Sequence, residues 1–159
     1  MIIRIGNGYD VHRLAEGLDL WLGGCHIPHR KGAVAHSDGD VLIHAICDAL
    51  LGAAALRDIG YHFPYTNPKY KGIASKKLLE ETVALIRKAG YEISNIDTTI
   101  CLQQPKISEY IPLMQQTLAA ILQIDDTQLS IKATTTEALG FVGREEGIAA
   151  YAVVLLVAC

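Results

Sequence analysis

The sequence predicts a single domain of the α+β class, in which helices pack on one face of a mixed β-sheet to form an α/β sandwich. Its 159 residues are enough for one hydrophobic core and too few for two domains of ordinary size. In the second half of the chain, segments of helical spacing alternate with segments of strand character. The longest apolar run, residues 148–159, is typical of a buried central strand. We therefore treat residues 1–159 as one domain.

The first half of the chain predicts two strands and one long helix. Residues 2–12 form the first strand, and residues 18–27 form its hairpin partner. A side-chain acceptor at Ser37 or Asp38 caps a helix that continues to the segment 57–73. That segment contains two prolines and two glycines, and its length predicts a functional loop.

The second half alternates helices and strands. Ser75 caps a second helix, which ends at Gly90 because glycine readily adopts the left-handed backbone that stops a helix. Alternating apolar residues predict a strand over 96–102, and Ser108 caps a third helix. A strand over 129–133 and the final apolar run complete the sheet.

Composition excludes several classes of function. The net charge is −3 and the charges are interspersed, so nothing indicates a nucleic-acid or membrane partner. The N-terminus lacks a signal-peptide pattern and the four cysteines form no C-x-x-C pair, so we predict reduced, mostly buried thiols in a cytoplasmic protein. Cys25 near His26 and His29 offers a second metal site, although a hairpin end explains the same residues.

One carboxylate and two imidazoles have the spacing of an open zinc site. Asp10 and His12 are two residues apart, so on a strand both side chains leave the same face, and His44 can meet them from about two turns into the predicted helix. Three protein ligands leave a fourth position for water or substrate, as in catalytic zinc sites. Asp40 and Asp48 lie one turn to either side of His44, so either can orient its imidazole. The plainer interpretation is a scatter of surface polar residues.

A threonine-rich turn follows the strand over 129–133. Hydroxyls and free amides of Thr134–Thr136 suit phosphate oxygens, Glu137 can hold Mg²⁺, and Arg144 can pair with a phosphate. The local alternative is a strand end with a capping glutamate. The chain has no glycine-rich phosphate loop and no G-x-S-x-G motif. In an enzyme of this sequence the nucleophile would therefore belong to the substrate or to metal-bound water.

These stretches together resemble one family, the 2-C-methyl-D-erythritol 2,4-cyclodiphosphate synthases, from about residue 3 to residue 156. The matching segments, in order, are GYDVH (8–12), AHSDGDV (35–41), DALLGAA (48–54), DIG (58–60), KATTTE (132–137), and GF with GR (140–144).

The resemblance implies an enzyme of the non-mevalonate isoprenoid pathway. Members convert 4-diphosphocytidyl-2-C-methyl-D-erythritol 2-phosphate into the cyclic diphosphate and release CMP, a phosphorus-oxygen lyase reaction in which the substrate's 2-phosphate attacks its β-phosphorus. By similarity, Asp10, His12 and His44 would hold Zn²⁺, and Glu137 would help to hold a second ion, Mg²⁺ or Mn²⁺, on the phosphates. His36 and Thr135 would orient the phosphates and stabilise charge.

The family is a homotrimer with active sites between subunits, and this implies a long list of substrate contacts. On the metal and methylerythritol side they are Asp10, Val11, His12, His36, Ser37, Asp58, Ile59, Gly60, Phe63, Pro64, Tyr65, Thr66 and Asn67. On the cytidine and phosphate side they are Leu102, Gln103, Gln104, Pro105, Lys106, Ile107, Ser108, Lys132, Ala133, Thr134, Thr135, Thr136 and Glu137. Phe141 and Arg144 would lie toward the threefold axis.

One segment departs from the family. Members usually carry Phe-Pro-Asp-Thr-Asp-Pro where this chain has FPYTNP over residues 63–68. Tyr65 and Asn67 thus replace two carboxylates near the substrate's hydroxyls. This departure is the support for an alternative, a non-catalytic, metal-stabilised trimer that binds a diphosphate ligand. A zinc hydrolase that uses metal-bound water also fits the ligands, but it leaves the cytidine-side match unexplained.

Overall fold

The large sheet is mixed, as predicted, in a computed structural model that describes residues 2–159. Its strands are β1 (Ile3–Glu16), β4 (Lys31–Val34), β5 (Tyr91–Cys101), β6 (Leu129–Thr134) and β7 (Gly147–Ala158), and a separate two-stranded sheet pairs β2 (Leu20–Leu22) with β3 (Cys25–Ile27). The order in the large sheet is β4-β1-β7-β5-β6, in which β5 and β6 run parallel and the other neighbours are antiparallel.

Helices cover one face of the large sheet, and the first of them, α1 (Val41–Ala53), lies directly on β1 and β7. Gly6 and Gly8 permit this close approach, since a Cβ at Gly8 would lie 1.9 Å from the Ala45 carbonyl oxygen. The helices are α1 (Val41–Ala53), α2 (Ile59–His62), α3 (Ser75–Lys88), α4 (Ile111–Leu122) and α5 (Gly140–Gly143), with short 3-10 helices at Pro68–Tyr70, Ser108–Tyr110 and Asp126–Gln128.

The opposite face of the sheet is apolar and exposed. Ala150, Ala152 and Val154 of β7 are buried toward the helices, but Tyr151 and Val153, which alternate with them, are exposed. The predicted central position of this strand is therefore confirmed. Its predicted burial holds, within one chain, only for the face that packs on the helices. Side chains of β1 extend the exposed apolar surface, among them Ile5 and Tyr9.

Two predicted elements near the N-terminus are wrong. The segment 18–27 pairs with itself rather than with β1, because Gly23 and Gly24 adopt positive φ and turn the chain between β2 and β3. The first helix begins at Val41 and not at Ser37 or Asp38, since the left-handed backbone of Gly39 interrupts the chain there. His44 consequently lies in the first turn of α1.

Four boundaries in the remaining chain also differ. The predicted loop 57–73 contains α2 and a 3-10 helix. Ser75 is the first residue of α3 rather than its cap, and Ser108 begins a 3-10 helix before α4. The strand predicted over 96–102 begins earlier, at Tyr91, after which a bulge shifts its register.

Within residues 2–159, no helix combines the length and the apolar composition needed to cross a bilayer. The four cysteines are free thiols, of which Cys25 and Cys47 are buried, Cys101 is half-buried and Cys159 is exposed. The prediction of mostly buried thiols thus holds for two of the four.

Candidate active site

The predicted metal ligands lie together where β1 faces α1. Asp10 Oδ2 is 2.9 Å from His12 Nε2 and 3.1 Å from His44 Nδ1. The two imidazole nitrogens are 3.2 Å apart. Among the residues described, these three form the one group of histidine, cysteine and acidic side chains close enough to hold a metal ion. Cys25, His26 and His29 form no such group, and the favoured interpretation of these residues as the end of a hairpin is confirmed by the pairing of β2 with β3.

The donor set fits a divalent metal. Ligands at the corners of a tetrahedral zinc site lie about 3.3 Å apart, because each is about 2.0 Å from the metal. The observed separations of 2.9–3.2 Å are close to this value. Burial would raise the pKa of Asp10, but hydrogen bonds with His12 and His44 lower it to about 2. The carboxylate is thus ionised at neutral pH, as a ligand must be.

The groups that orient His44 are not the ones predicted. The Asp40 carboxylate accepts hydrogen bonds from the amides of Gly23, Gly24 and Ile43 instead. Asp48 accepts from the amide at the start of α2, at 2.8 Å. The partner of His44 Nε2 is the Ser75 hydroxyl, at 3.0 Å. Nothing in the sequence distinguishes this serine from an ordinary helix cap.

The metal ligands open into a cavity of about 380 Å³. Predicted substrate contacts that line it are His36, Ser37, Ile59, Gly60, Phe63 and Tyr65. Five further lining residues were not predicted as contacts, namely Val34, Ala35, Tyr70, Ile73 and Leu78. The exposed ring of Tyr65 stacks on the His36 imidazole with an angle of 10° between planes and 5.7 Å between centroids. The aromatic side chain that departs from the family pattern therefore contacts a residue predicted to orient phosphate.

Other residues that were predicted to contact the substrate on the metal and methylerythritol side do not line this cavity. Asp58 caps α2 by accepting a hydrogen bond from the Tyr61 amide, and Asn67 caps the following 3-10 helix. Pro64 and Thr66 do not line it either. Val11 lines a different cavity, which it shares with Phe141.

A second, smaller cavity of about 230 Å³ lies at the ends of β5 and β6. Predicted cytidine-side residues line it, namely Leu102, Gln103, Pro105, Lys106, Ile107, Ser108, Ala133, Thr134 and Thr135, whereas Gln104 does not. Lys132 is instead paired with Asp97 at 2.6 Å, and the Thr136 hydroxyl donates to the Leu139 carbonyl oxygen.

Glu137 and Arg144 are exposed and lie outside both cavities. The backbone of Glu137 is left-handed, with φ 55°, and its amide donates to the Thr135 hydroxyl at 3.3 Å. The Arg144 guanidinium donates to the Glu146 carboxylate at 2.7 Å. Neither side chain contacts the metal ligands in this chain.

The pairing of the strands shows how far apart the two cavities lie. Asp10 pairs with Ala150, Ala150 with Ile100, and Ile100 with Ala133. Three strand spacings, about 14 Å in total, therefore lie between the backbone at the metal ligands and the backbone at the second cavity. The two cavities therefore lie at different places on the sheet of one chain.

Comparison with known proteins agrees with these features. The model of the YgbB family matches residues 3–157. The 2-C-methyl-D-erythritol 2,4-cyclodiphosphate synthase of Porphyromonas gingivalis is 63% identical over 155 residues, which cover 98% of this chain and 96% of that protein.

Two solved structures share the fold. The IspF protein of Plasmodium falciparum, in complex with CDP, is 37% identical with a TM-score of 0.86, over 98% of this chain and 96% of that chain. The bifunctional IspDF protein of Campylobacter jejuni is 44% identical with a TM-score of 0.95. The alignment covers 99% of this chain and 43% of that longer protein.

Proposed function

Since the chain belongs to the YgbB family, we propose that it converts 4-diphosphocytidyl-2-C-methyl-D-erythritol 2-phosphate into 2-C-methyl-D-erythritol 2,4-cyclodiphosphate and releases CMP. The reaction is that of a phosphorus-oxygen lyase in non-mevalonate isoprenoid biosynthesis. The observation that carries the proposal is the cluster of Asp10, His12 and His44, which opens into a cavity beside His36. The close relative from Porphyromonas gingivalis supports the same reaction.

The chemistry requires no nucleophile from the protein. An oxygen of the substrate's 2-phosphate forms a bond to the β-phosphorus, and the bond from that phosphorus to the bridging oxygen breaks, so CMP leaves with that oxygen. Zn²⁺ held by Asp10, His12 and His44, with Mg²⁺ or Mn²⁺ near Glu137, would neutralise charge on the phosphate oxygens.

The protein's own contribution is position and hydrogen bonding. His36 and Thr135 would donate hydrogen bonds to phosphate oxygens on which negative charge develops. The cavity beside the metal ligands would fold the methylerythritol phosphate back toward the diphosphate. Such pre-orientation can lower a barrier by up to roughly 7–11 kcal/mol when the reacting groups are well aligned.

Phosphorus NMR of the purified protein with this substrate, Zn²⁺ and Mg²⁺ tests the function. Signals of the cyclic diphosphate and of CMP are expected to replace those of the substrate. A hydrolysed open-chain phosphate would identify a hydrolase instead. An unchanged spectrum from zinc-loaded protein would contradict catalysis and favour the non-catalytic diphosphate-binding trimer.

We propose further that the active form is a homotrimer in the cytoplasm, with each site built from two subunits. The exposed apolar side chains of Ile5, Tyr9, Tyr151 and Val153 on one face of the sheet support this assembly, because extended apolar surfaces of this kind are typical of protein interfaces. The separation of the two cavities supports it too, since the metal ligands and Thr135 cannot both contact one phosphate group within a chain. Each cavity would then be one half-site of an active site shared by two subunits. The free thiols of the described chain are compatible with a reducing compartment.

Subunit mixing tests the shared site. We expect His44→Ala and Glu137→Ala each to be inactive alone, because one removes a metal ligand and the other removes an acid of the opposite half-site. Each mixed trimer would contain one complete site of three, so random equal mixing should restore about a quarter of the wild-type activity. Measured CMP release that stays at background after mixing, in trimers verified to be mixed, would mean that one chain supplies both halves.

The role of Glu137 is tested by the metal requirement. Glu137→Gln is expected to raise the Mg²⁺ concentration for half-maximal activity by about tenfold, because the amide keeps one oxygen but loses the charge that attracts a hard cation. The control is Glu80→Gln, an exposed acid of α3 paired with Lys77. Equal Mg²⁺ titrations for the two variants would remove Glu137 from the metal-binding role.

A further inference from the structure

His44 is connected through its outer nitrogen to a buried serine and a carboxylate. Ser75, the first residue of α3, is fully buried, and its Oγ lies 3.0 Å from His44 Nε2. The same hydroxyl makes a short hydrogen bond to Asp38 Oδ1, and the Ser75 amide donates to Asp38 Oδ2 at 2.9 Å. The Asp40 amide also donates to Asp38 Oδ1, at 3.2 Å. Asp38 is thus held by donors on both of its oxygens.

The hydrogen bonds from His44 through Ser75 to Asp38 permit one arrangement of donors and acceptors. An ionised carboxylate only accepts hydrogen bonds, so the Ser75 hydroxyl must donate its proton to Asp38. Its oxygen then accepts from His44, which requires the neutral imidazole to carry its hydrogen on Nε2. The lone pair consequently lies on Nδ1, the nitrogen that faces Asp10 and His12. This is the tautomer that a metal ligand needs at that position.

We propose that Ser75 and Asp38 are positioning residues that fix the tautomer and the ring orientation of His44 for metal binding. This inference rests on the proposed function, because it takes Asp10, His12 and His44 as the zinc site. The hydrogen-bonded unit also reaches the phosphate side of the cavity. Asp38 lies two residues from His36, whose carbonyl oxygen accepts from the Gly72 amide at 3.3 Å. The segments 36–40 and 72–75 therefore hold the zinc ligand and the predicted phosphate contact as one unit.

Two substitutions separate this role from simple packing. Ser75→Ala removes the acceptor for His44 Nε2. Asp38→Asn keeps the shape of the side chain but introduces an amide group that can donate a hydrogen bond to the Ser75 oxygen. The direction of the hydrogen bonds would then be reversed: the Ser75 hydroxyl would donate to His44 Nε2, and the imidazole hydrogen would move to Nδ1. Both variants are expected to bind zinc about 10- to 100-fold more weakly. Ser75→Thr, which retains a hydroxyl, should recover most of the affinity.

The experiment is a zinc competition titration with a chromogenic chelator, on full-length protein whose fold is verified by circular dichroism. The matched control is Thr82→Val, because Thr82 is a fully buried hydroxyl of the same helix with no hydrogen-bond partner in the described chain. Its zinc affinity should stay within about twofold of wild type, because the hydrogen bonds that orient the metal ligands are unaltered. The visible spectrum of the Co²⁺-substituted protein should change in Asp38→Asn and not in Thr82→Val.

The outcomes distinguish this proposal from the proposed function. If wild type binds zinc and turns over substrate while Ser75→Ala and Asp38→Asn bind zinc equally well, the positioning role is wrong and the function stands. If wild type binds zinc without turnover and the two variants lose affinity, the positioning role stands and the function is wrong. If wild type binds no zinc, both are wrong. Should Ser75→Ala fail to fold, Asp38→Asn decides, because it preserves volume at a half-buried position.

Discussion

Replacing His44 by alanine is expected to abolish zinc binding and turnover together. The variant would leave Asp10 and His12 as the remaining ligands, two donors where an open zinc site needs three. The imidazole is buried against Ser75, and no other histidine, cysteine or acidic side chain of residues 2–159 belongs to the group. Charge stabilisation by a metal is worth several kcal/mol in such sites, so turnover should fall by roughly 10³-fold or more.

The measurement pairs zinc content of the purified variant with its rate of CMP release. His26→Ala is the matched control, because His26 is an exposed histidine that contacts Asp19 at 3.3 Å and lies outside the site. Its zinc content and rate should equal those of wild type. His44→Ala protein that retains one zinc per chain, or that turns over at the wild-type rate, would show that His44 is not a ligand. Loss of turnover with zinc retained would assign His44 a role in catalysis rather than in metal binding.

The metal cluster could be predicted because its geometry follows from local rules. Asp10 and His12 are two residues apart on a strand, so alternation alone directs both side chains to one face. His44 is separated from them by more than thirty residues, but the predicted helix had to cover the same sheet. The α+β class was predictable for the same reason, since the alternation and the helical spacing are properties of short segments.

The start of α1 could not be predicted from the same kind of pattern. Ser37, Asp38 and Asp40 are all good cap residues, and the sequence alone offers no reason to prefer one. The choice depends on a tertiary contact, because the Asp40 carboxylate is needed to accept the amides of Gly23 and Gly24. Ser75 was missed for a related reason, since its partner His44 lies 31 residues away and its local context is that of an ordinary helix start.

The exposed apolar face of the sheet shows a further limit of reading one chain. The run 148–159 has the composition of a strand buried on both faces, yet Tyr151 and Val153 are exposed in the single chain. The proposed trimer reconciles composition and structure, because a second copy would cover that face. The apolar composition of this strand thus agrees with its burial in the proposed trimer, whereas the strand pairing alone describes the fold of one chain.

Asp40→Ala is expected to cause the largest loss of stability of any single substitution considered for this chain. The Asp40 side chain is fully buried, and its oxygens accept the amides of Gly24 at 2.7 Å, Gly23 at 3.0 Å and Ile43 at 3.1 Å. It therefore joins the turn between β2 and β3 to the beginning of α1. Alanine would leave the buried amides of Gly23 and Ile43 and the half-buried amide of Gly24 without an acceptor, and a donor that cannot reach water costs about 1–3 kcal/mol.

The charge of Asp40 offsets part of this stabilisation. Burial raises the pKa of the carboxyl although three amides donate to it, so the ionised group is itself costly to bury. Alanine removes the cost of the buried charge together with the acceptor oxygens, so the expected net loss in the free energy of unfolding is about 3–5 kcal/mol. Asparagine should lose less, because its carbonyl oxygen still accepts one or two of the amides while its amino group faces the remaining donor.

Thermal and urea unfolding at equal protein concentration measure the effect. A loss of 3–5 kcal/mol should lower the Tm by roughly 6–20 °C in a chain of this length. The matched control is Asp125→Ala, since Asp125 also caps a helix, by accepting from the Thr127 amide, but is exposed to solvent. Water can replace the acceptor there, so its Tm should change little. Equal Tm shifts for the two variants would mean that the turn between β2 and β3 does not depend on Asp40, and that α1 is positioned by its apolar contacts with β1 and β7 alone.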